Sequence, residues 1–238
     1  MTNKRVKRLP KIILGQLAVI LVIVIIASGL IFYAQGYKIN LKNFKVIRTG
    51  MILLVTDPTP DHIVINGIEE NNTSEYSKTF TSGYYDITIS KDKYQNWHRS
   101  VFIDPGKLVT FKEIKLFLKD PEVSELTDQS KINFLNTPNS YLAENSTNDL
   151  TFNRYEIWVN GSLLTRFSSQ INSPMWYPDD DHIVYQIGNE IHVIDKSGYN
   201  DTKLVTLSTN NPTRFTIGNK GRELYFLDGE SYKIADIR

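Results

Sequence analysis

Residues 12–33 read IILGQLAVILVIVIIASGLIFY and carry no charged side chain. At a rise of about 1.5 Å per residue, a helix of this length spans roughly 33 Å, enough to cross a hydrocarbon core of about 30 Å. A helix also satisfies nearly all of its own backbone hydrogen bonds, as the interior of a bilayer requires. The sequence therefore predicts a transmembrane helix at residues 12–33, with the lipid bilayer as its partner.

The charges before this segment predict its orientation. The tail of residues 1–11 contains no acidic residue and five basic ones, Lys4, Arg5, Lys7, Arg8 and Lys11. Positive charge resists translocation, so this tail is expected to stay in the cytoplasm while the rest of the chain is exported. We therefore expect a single-pass protein of the cytoplasmic membrane, with its N-terminus inside and its C-terminal domains outside.

A cleaved signal peptide is the alternative, because the small residues Ala27 and Gly29 could precede a cleavage site. The apolar run continues past them to Tyr33 and exceeds the usual length of a signal-peptide core. Its length therefore favours a retained anchor.

The composition limits the class of protein to which the part after the predicted helix can belong. The sequence contains no cysteine, which excludes disulfides, thiolate metal sites, cysteine nucleophiles and a lipoprotein anchor. Without the five basic residues of the tail, 22 basic and 26 acidic residues remain, and we expect no nucleic-acid partner. Short apolar runs are separated by Gly, Pro, Asn and Asp, without sustained helical periodicity, so we predict an all-β ectodomain.

Residues 50–118 are expected to form a small β-sandwich, preceded by a stalk at residues 34–49. The run His62 to Ile65 ends at Asn66-Gly67, a tight-turn signal, and residues 84–89 alternate apolar and polar side chains. The stretches GMILLVTDP at 50–58, IVING at 63–67 and SGYYDITI at 82–89 resemble a PEGA domain, a small β-sandwich common on bacterial surface proteins. This resemblance implies an extracytoplasmic spacer or interaction module without enzymatic activity.

After a linker at residues 119–130, the sequence of residues 131–238 contains an internal repeat. Aligned apolar runs place Tyr141, Ile183 and Leu224 at spacings of 42 and 41, and a period near 40 is typical of propeller blades. The segment SPMWYPD at 173–179 resembles the S-P-x-W-S-P-D-G motif with which a blade of TolB-like propellers begins. The resemblance implies a propeller, but the chain has room for only two complete blades and part of a third.

We therefore expect an incomplete propeller-like β-domain of two to three blades. Three explanations stay open: a short relative of the family, a compact sheet, or a ring closed by another chain of a homo-oligomer.

Candidate chemistry is sparse. His182 and His192 lie near Asp179, Asp180 and Asp181, and two imidazoles with a carboxylate could hold a metal ion. The competing interpretation is a turn in which aspartate caps its own backbone, with both histidines on strand faces. Consecutive aspartates do not match EF-hand spacing, and the sequence has no P-loop, dinucleotide fingerprint or serine nucleophile elbow. We predict no metal, no cofactor and no catalytic residues.

The polar loop KDKYQNWHRS at residues 91–100 supplies the candidate binding surface. Tyr94, Trp97, His98 and Arg99 could stack on a sugar ring or contact a peptide. The alternative is that the tryptophan folds back and caps one end of the sandwich.

These observations favour a non-catalytic, membrane-anchored scaffold or binding protein of the bacterial cell envelope, whose partner is an envelope protein or a wall polymer. A sensory or ligand-binding ectodomain for a cell-wall glycan or peptide is the alternative, although a tail of residues 1–11 leaves no room for a signalling domain. An envelope hydrolase with an unrecognised site is the second alternative.

Overall fold

The computed structural model of this chain describes residues 9–34, 36–40, 45–137 and 149–238. The chain is mostly β-strand, with one long apolar helix at its N-terminus. It forms two compact units. The first, here the helix unit, contains Met1–Leu53, Ser77–Tyr84 and Phe102–Thr110, and the second, the sheet unit, contains Leu54–Tyr76, Tyr85–Val101 and Phe111–Arg238.

Helix α1 spans Leu9–Ala34, a few residues beyond the predicted segment. Within it, Leu14–Ala34 has a mean hydropathy of 2.9 and no part buried inside the protein, so its length and composition suit a membrane anchor or a signal peptide. Four of the five basic residues predicted to set the topology, Lys4, Arg5, Lys7 and Arg8, lie outside the described residues, as does the side chain of Lys11.

The predicted stalk contains two strands. Strand β1 (Tyr37–Asn40) pairs antiparallel with the start of β2 (Lys45–Asp57), where Tyr37 faces Arg48. The stalk prediction was therefore wrong for these residues. Basic side chains interrupt their apolar pattern, and it is backbone pairing with a neighbouring strand that makes them β-structure.

The first module contains two four-stranded sheets, with the remaining strands at β3 (His62–Ile65), β4 (Ile68–Glu70), β5 (Glu75–Thr81), β6 (Gly83–Ser90), β7 (Trp97–Ile103) and β8 (Leu108–Lys115). One sheet has the order β1-β2-β5, with β8 also pairing β2, and the other has the order β4-β3-β6-β7. The Asn66-Gly67 turn joins β3 to β4 with positive φ at both residues, as the sequence predicts. On β6, Ile87 and Ile89 are fully buried while Tyr84 and Asp86 are exposed, which matches the predicted alternation.

The rest of the chain forms three further sheets and a short helix: β9 (Val123–Glu125), α2 (Gln129–Asn136), β10 (Leu150–Phe152), β11 (Glu156–Val159), β12 (Ser162–Arg166), β13 (Ile171–Trp176), β14 (His182–Ile187), β15 (Glu190–Asp195), β16 (Thr202–Thr206), β17 (Phe215–Gly218), β18 (Glu223–Asp228) and β19 (Ser231–Asp236). The first sheet has the order β10-β11-β12, the middle sheet β13-β14-β15-β16, and the last sheet β17-β18-β19-β9. The fourth strand of the last sheet thus comes from residues 119–130, which were predicted to be a linker.

The three sheets stack through the middle one. Val184 packs in one apolar cluster with Leu224 of the last sheet, whereas Ile183 and Tyr185 pack in another cluster with Ile157 of the first sheet. Successive strand residues point to opposite faces, so the middle sheet is buried on both faces.

The repeat holds for two of its three predicted members. Ile183 and Leu224 lie on β14 and β18, the second strands of their sheets, whereas Tyr141 lies outside the described residues. Among the described residues, the first sheet has β11 in the middle, and the Asn160-Gly161 hairpin joins β11 to β12.

The sequence analysis missed helix α2. Its N-cap is Asp128, whose Oδ1 accepts a hydrogen bond from the Ser130 backbone N–H at 2.8 Å. Leu135 packs with Leu126 and Tyr225 on the face of the last sheet opposite to Leu224. Eight residues are too few to show helical periodicity, so the stable position of α2 depends on this packing.

Replacing Leu135 with alanine is therefore expected to lower the free energy of unfolding by about 2–4 kcal/mol, because Leu135 is only 3% exposed. The matched control is Asn133→Ala, an exposed position on the same helix, which should change it by about 0.5 kcal/mol or less. Urea unfolding of the detergent-solubilised chain measures both values. Equal effects would show that α2 does not contribute to the packing of the last sheet.

Candidate functional site

Trp97 does not present a free ring at the surface. Its side chain is 4% exposed, and its Nε1 donates a hydrogen bond to Asp195 Oδ2 at 3.3 Å. The ring packs edge-on against Phe111, with centroids 5.3 Å apart. Trp97 is therefore not an exposed anchor, and of the two interpretations that the sequence left open, a ring folded back against the protein agrees with the structure.

Arg99 and His98 continue the same contact. Arg99 Nη1 donates to Ser197 Oγ at 2.8 Å, and its guanidinium lies 3.9 Å from the centroid of the Tyr199 ring. The His98 backbone N–H donates to Asn200 Oδ1 at 2.9 Å. These contacts hold β7 against the loop of residues 196–201 that joins β15 to β16 in the middle sheet.

The other two parts of the predicted surface, Tyr94 and the His98 imidazole, contribute less to this contact. Tyr94 is half-buried and forms an isolated antiparallel bridge with Leu118. The His98 imidazole is exposed, with Nδ1 3.2 Å from Thr88 Oγ1. The predicted group of four side chains is therefore not presented together on one open surface.

His182 lies at the centre of the contact between β7 and the middle sheet. It is 3% exposed, with Nδ1 2.8 Å from Asp179 Oδ2 and Nε2 3.2 Å from Asp195 Oδ1. Because each ring nitrogen faces a carboxylate, the doubly protonated imidazolium can donate to both. Asp195 is shared, since its Oδ2 also accepts from Trp97 Nε1 and from Asn200 Nδ2 at 2.8 Å.

The electrostatics of this network favour the charged histidine. Burial disfavours the imidazolium, but hydrogen bonds and charge attraction from Asp179 and Asp195 outweigh it and raise the pKa of His182 to about 9. Burial likewise opposes ionisation of Asp179, yet the bond to His182 holds the pKa of this carboxyl below its ordinary value. Lys115 Nζ, 3.9 Å from Asp179 Oδ2, adds positive charge there.

A second histidine on the same sheet has a similar environment. His192 Nδ1 lies 3.0 Å from Asp201 Oδ1, and its Nε2 lies 3.1 Å from Glu190 Oε2. Burial again opposes the charge, but the two carboxylates raise the pKa of His192 above its ordinary value. Tyr185 donates to Asp201 Oδ1 at 2.7 Å and completes this network.

The two histidines do not converge on one metal position. In the strand register His182 faces Asp195 and His192 faces Tyr185, so each imidazole belongs to a separate carboxylate network. Asp179 Oδ1 accepts from the backbone N–H groups of Asp181 and His182, as in the predicted capped turn. Across residues 9–34, 36–40, 45–137 and 149–238, no group of three or more histidines and acidic residues is arranged to hold a metal ion.

The chemistry available to the His182 network is structural. A general base needs a free lone pair, and an imidazolium that donates to two carboxylates has none. The sequence analysis named His182 and Asp179 but missed Asp195, Tyr199 and Asn200. These residues belong to the loop DKSGYND at 195–201, whose polar composition resembles any surface turn.

The comparisons with known proteins give little further information. No protein-family model matches this sequence. A search of curated proteins finds no match. Among solved structures, the chain is similar to a DUF3823 family protein from Bacteroides ovatus, at 10% identity and a TM-score of 0.21, over 81% of this chain and 97% of that chain. A TM-score this low supports no argument about fold or function.

The raised pKa of His182 predicts that stability falls with rising pH. Its folded pKa of about 9 lies above the ordinary value of 6.5, so the network stabilises the fold fully below pH 6.5 and loses that contribution as the pH approaches 9. The loss should be about 3 kcal/mol at most. Thermal unfolding of the full chain between pH 6 and pH 9.5 measures it.

Two variants separate the contributions of His182 and His192 to the pH dependence of stability. His182→Gln should remove most of the slope, and the remainder should disappear when His192→Gln is added, because the pKa of His192 is also raised. The matched control is His62→Gln, whose side chain is 58% exposed, and this change should leave the slope intact. A slope that persists in the double variant would contradict the charged form of both networks.

Proposed function

We propose that this chain is a membrane-anchored, non-catalytic scaffold of the bacterial cell envelope, with its N-terminus in the cytoplasm and its β-modules outside. The apolar helix α1 supplies a segment long enough to cross a bilayer. The basic tail before it favours the inward orientation of the N-terminus.

The main support for a scaffold role is a contact inside the sheet unit. Within the sheet unit, the side chains best suited to recognition or catalysis are committed to a contact between β7 and the middle sheet. Trp97 and His182 both bond to Asp195, and Arg99 bonds to Ser197 and stacks on Tyr199. Trp97 and His182 are buried, and buried polar groups that each have a partner fix the geometry of the parts they join. A fixed geometry is what a spacer or scaffold requires.

The sequence resemblances support the same proposal. The PEGA-like module implies an extracytoplasmic spacer or interaction module without enzymatic activity, and the TolB-like repeats imply a propeller-like β-domain beside it. Recognition of a partner then falls to exposed surfaces away from the His182 network. The partner class that fits this proposal is another protein of the envelope.

The topology is tested with single cysteines, because the chain has none of its own. Ile68→Cys places a thiol on the sheet unit at a position that is 65% exposed. It should react with a membrane-impermeant maleimide on intact cells. Thr2→Cys, in the basic tail, should react only after permeabilisation. The reverse pattern would exclude the proposed orientation.

The scaffold role is tested by covalent capture in cells. A photo-crosslinking residue at Trp97, which is 4% exposed, serves as a control for the internal contact, and one at Ile68 probes an exposed surface. We expect the Ile68 probe to capture an envelope protein in stoichiometric amount. Recovery of wall glycan instead would replace scaffolding with polymer recognition. Hydrolysis of wall polymer by the purified chain would contradict the non-catalytic role.

A further inference from the structure

Charge is distributed unequally between the two units. After the helix, the sequence segments of the helix unit contain one acidic residue, Asp104, and six basic ones, Lys38, Lys42, Lys45, Arg48, Lys78 and Lys107. The sheet unit contains 16 basic and 25 acidic residues. The part of the chain that continues directly from α1 is therefore strongly basic, although the outer protein as a whole is mildly acidic.

Two clefts flank the C-terminal end of α1 within the helix unit. The apolar cleft has a volume of about 580 Å³ and is lined by Gly29, Phe32, Tyr33, Tyr37, Lys38 and Val46. The basic cleft has a volume of about 620 Å³, and its lining includes Lys38, Arg48 and Lys107 but no acidic residue. Tyr33 and Lys38 line both, so the two clefts are adjacent.

The cations of the basic cleft are available to an anion. Lys38 Nζ donates to Thr79 Oγ1 at 2.8 Å, and the Arg48 guanidinium lies 5.4 Å from the Tyr37 ring centroid. Neither has a carboxylate partner among the described residues. Lys107 Nζ lies 3.0 Å from Asp104 Oδ2, but both side chains are exposed, so this pair contributes little.

Hydrogen bonds hold the basic cleft at the end of the helix. The Gly36 carbonyl accepts from the Thr49 backbone N–H at 2.8 Å and from Thr49 Oγ1 at 2.7 Å, and the Gly36 N–H donates to the Tyr33 carbonyl at 3.0 Å. Gly36 has φ of +80°, which few other residues adopt without strain. Around this connection Val46, Met51 and Leu108 expose apolar side chains. An apolar rim beside a membrane-spanning helix suits the lipid interface.

We propose that these clefts bind a phospholipid with an anionic headgroup. Lys38, Arg48 and Lys107 bind the phosphate, and an acyl chain lies along α1 in the apolar cleft beside Gly29 and Phe32. Basic side chains near a membrane surface attract anionic lipid, and charge-assisted bonds to phosphate are strong and short. The inference rests on the proposed function, because it requires α1 to remain in the bilayer.

The experiment uses the full chain in lipid nanodiscs, with a fluorophore on a single cysteine introduced as Leu108→Cys. Quenching by lipids with a nitroxide headgroup reports contact of the rim with the interface. In discs of phosphatidylcholine with increasing phosphatidylglycerol, we expect quenching to rise and saturate. The variant K38Q/R48Q/K107Q should weaken the apparent affinity for phosphatidylglycerol by about fivefold per removed cation.

Two further variants make the result specific. The matched control K93Q/K119Q/K220Q removes three exposed cations from the sheet unit and should leave the affinity unchanged. Gly29→Leu fills the apolar cleft without changing charge, and it should weaken binding because the space beside Gly29 is open. Far-ultraviolet circular dichroism confirms that each variant is folded.

The outcomes separate this inference from the proposed function. Equal quenching in neutral and anionic discs, or an equal loss in the control variant, would overturn the lipid site. Retention of the chain in the discs after an alkaline wash is measured separately and tests the anchor. A retained chain without dependence on phosphatidylglycerol would leave the anchor standing and remove the lipid site alone.

Discussion

The Asp195 carboxylate is the group on which the sheet unit most depends. Its two oxygens accept hydrogen bonds from Trp97 on β7, from His182 on β14 and from Asn200 in the adjacent loop. The Asp195 side chain is 16% exposed, but His182 is buried, and a buried charge is destabilising once its partner is lost. The three donors come from separate parts of the chain, so the network forms only when the strands are already in place. It therefore specifies one arrangement of β7 on the middle sheet.

Sequence reasoning succeeded where the deciding interaction is local. The apolar run of α1, the Asn66-Gly67 turn and the alternation on β6 depend on near neighbours, and each was predicted at its correct position. The capped turn at Asp179 also belongs to this group, because the acceptor and its N–H donors lie within three residues. Local chemistry of this kind can be read directly from residue types and spacing.

The predictions that were wrong involve distant partners. Trp97 and Asp195 are 98 residues apart, and Val123 of β9 pairs with Ala235. No local pattern distinguishes a tryptophan that will bind a sugar from one that will donate to a remote carboxylate. Residues 119–130 likewise have the composition of a linker, and Val123–Glu125 within them form a strand by pairing with the edge of β19. The aromatic residues in the sequence thus located the candidate site. Its role in the fold could be recognised only from the tertiary contact between Trp97 and Asp195.

The last sheet shows how the chain covers an exposed end of the stack. A sheet exposes an edge and two faces, and each must be covered, paired or charged. In the last sheet β9 pairs the edge of β19, and α2 packs on the face around Tyr225. The chain thus covers this end of the stack with its own segments.

The unequal charge of the two units has a mechanical consequence for an anchored protein. With α1 in a membrane that contains anionic lipid, the surface potential attracts the basic helix unit and repels the acidic sheet unit. Both forces act within about a Debye length of the surface, roughly 8 Å at physiological ionic strength, so they act mainly on residues close to the lipid. A single helix alone permits rotation and tilting of whatever follows it. The basic residues that follow α1 would therefore hold the helix unit close to an anionic lipid surface.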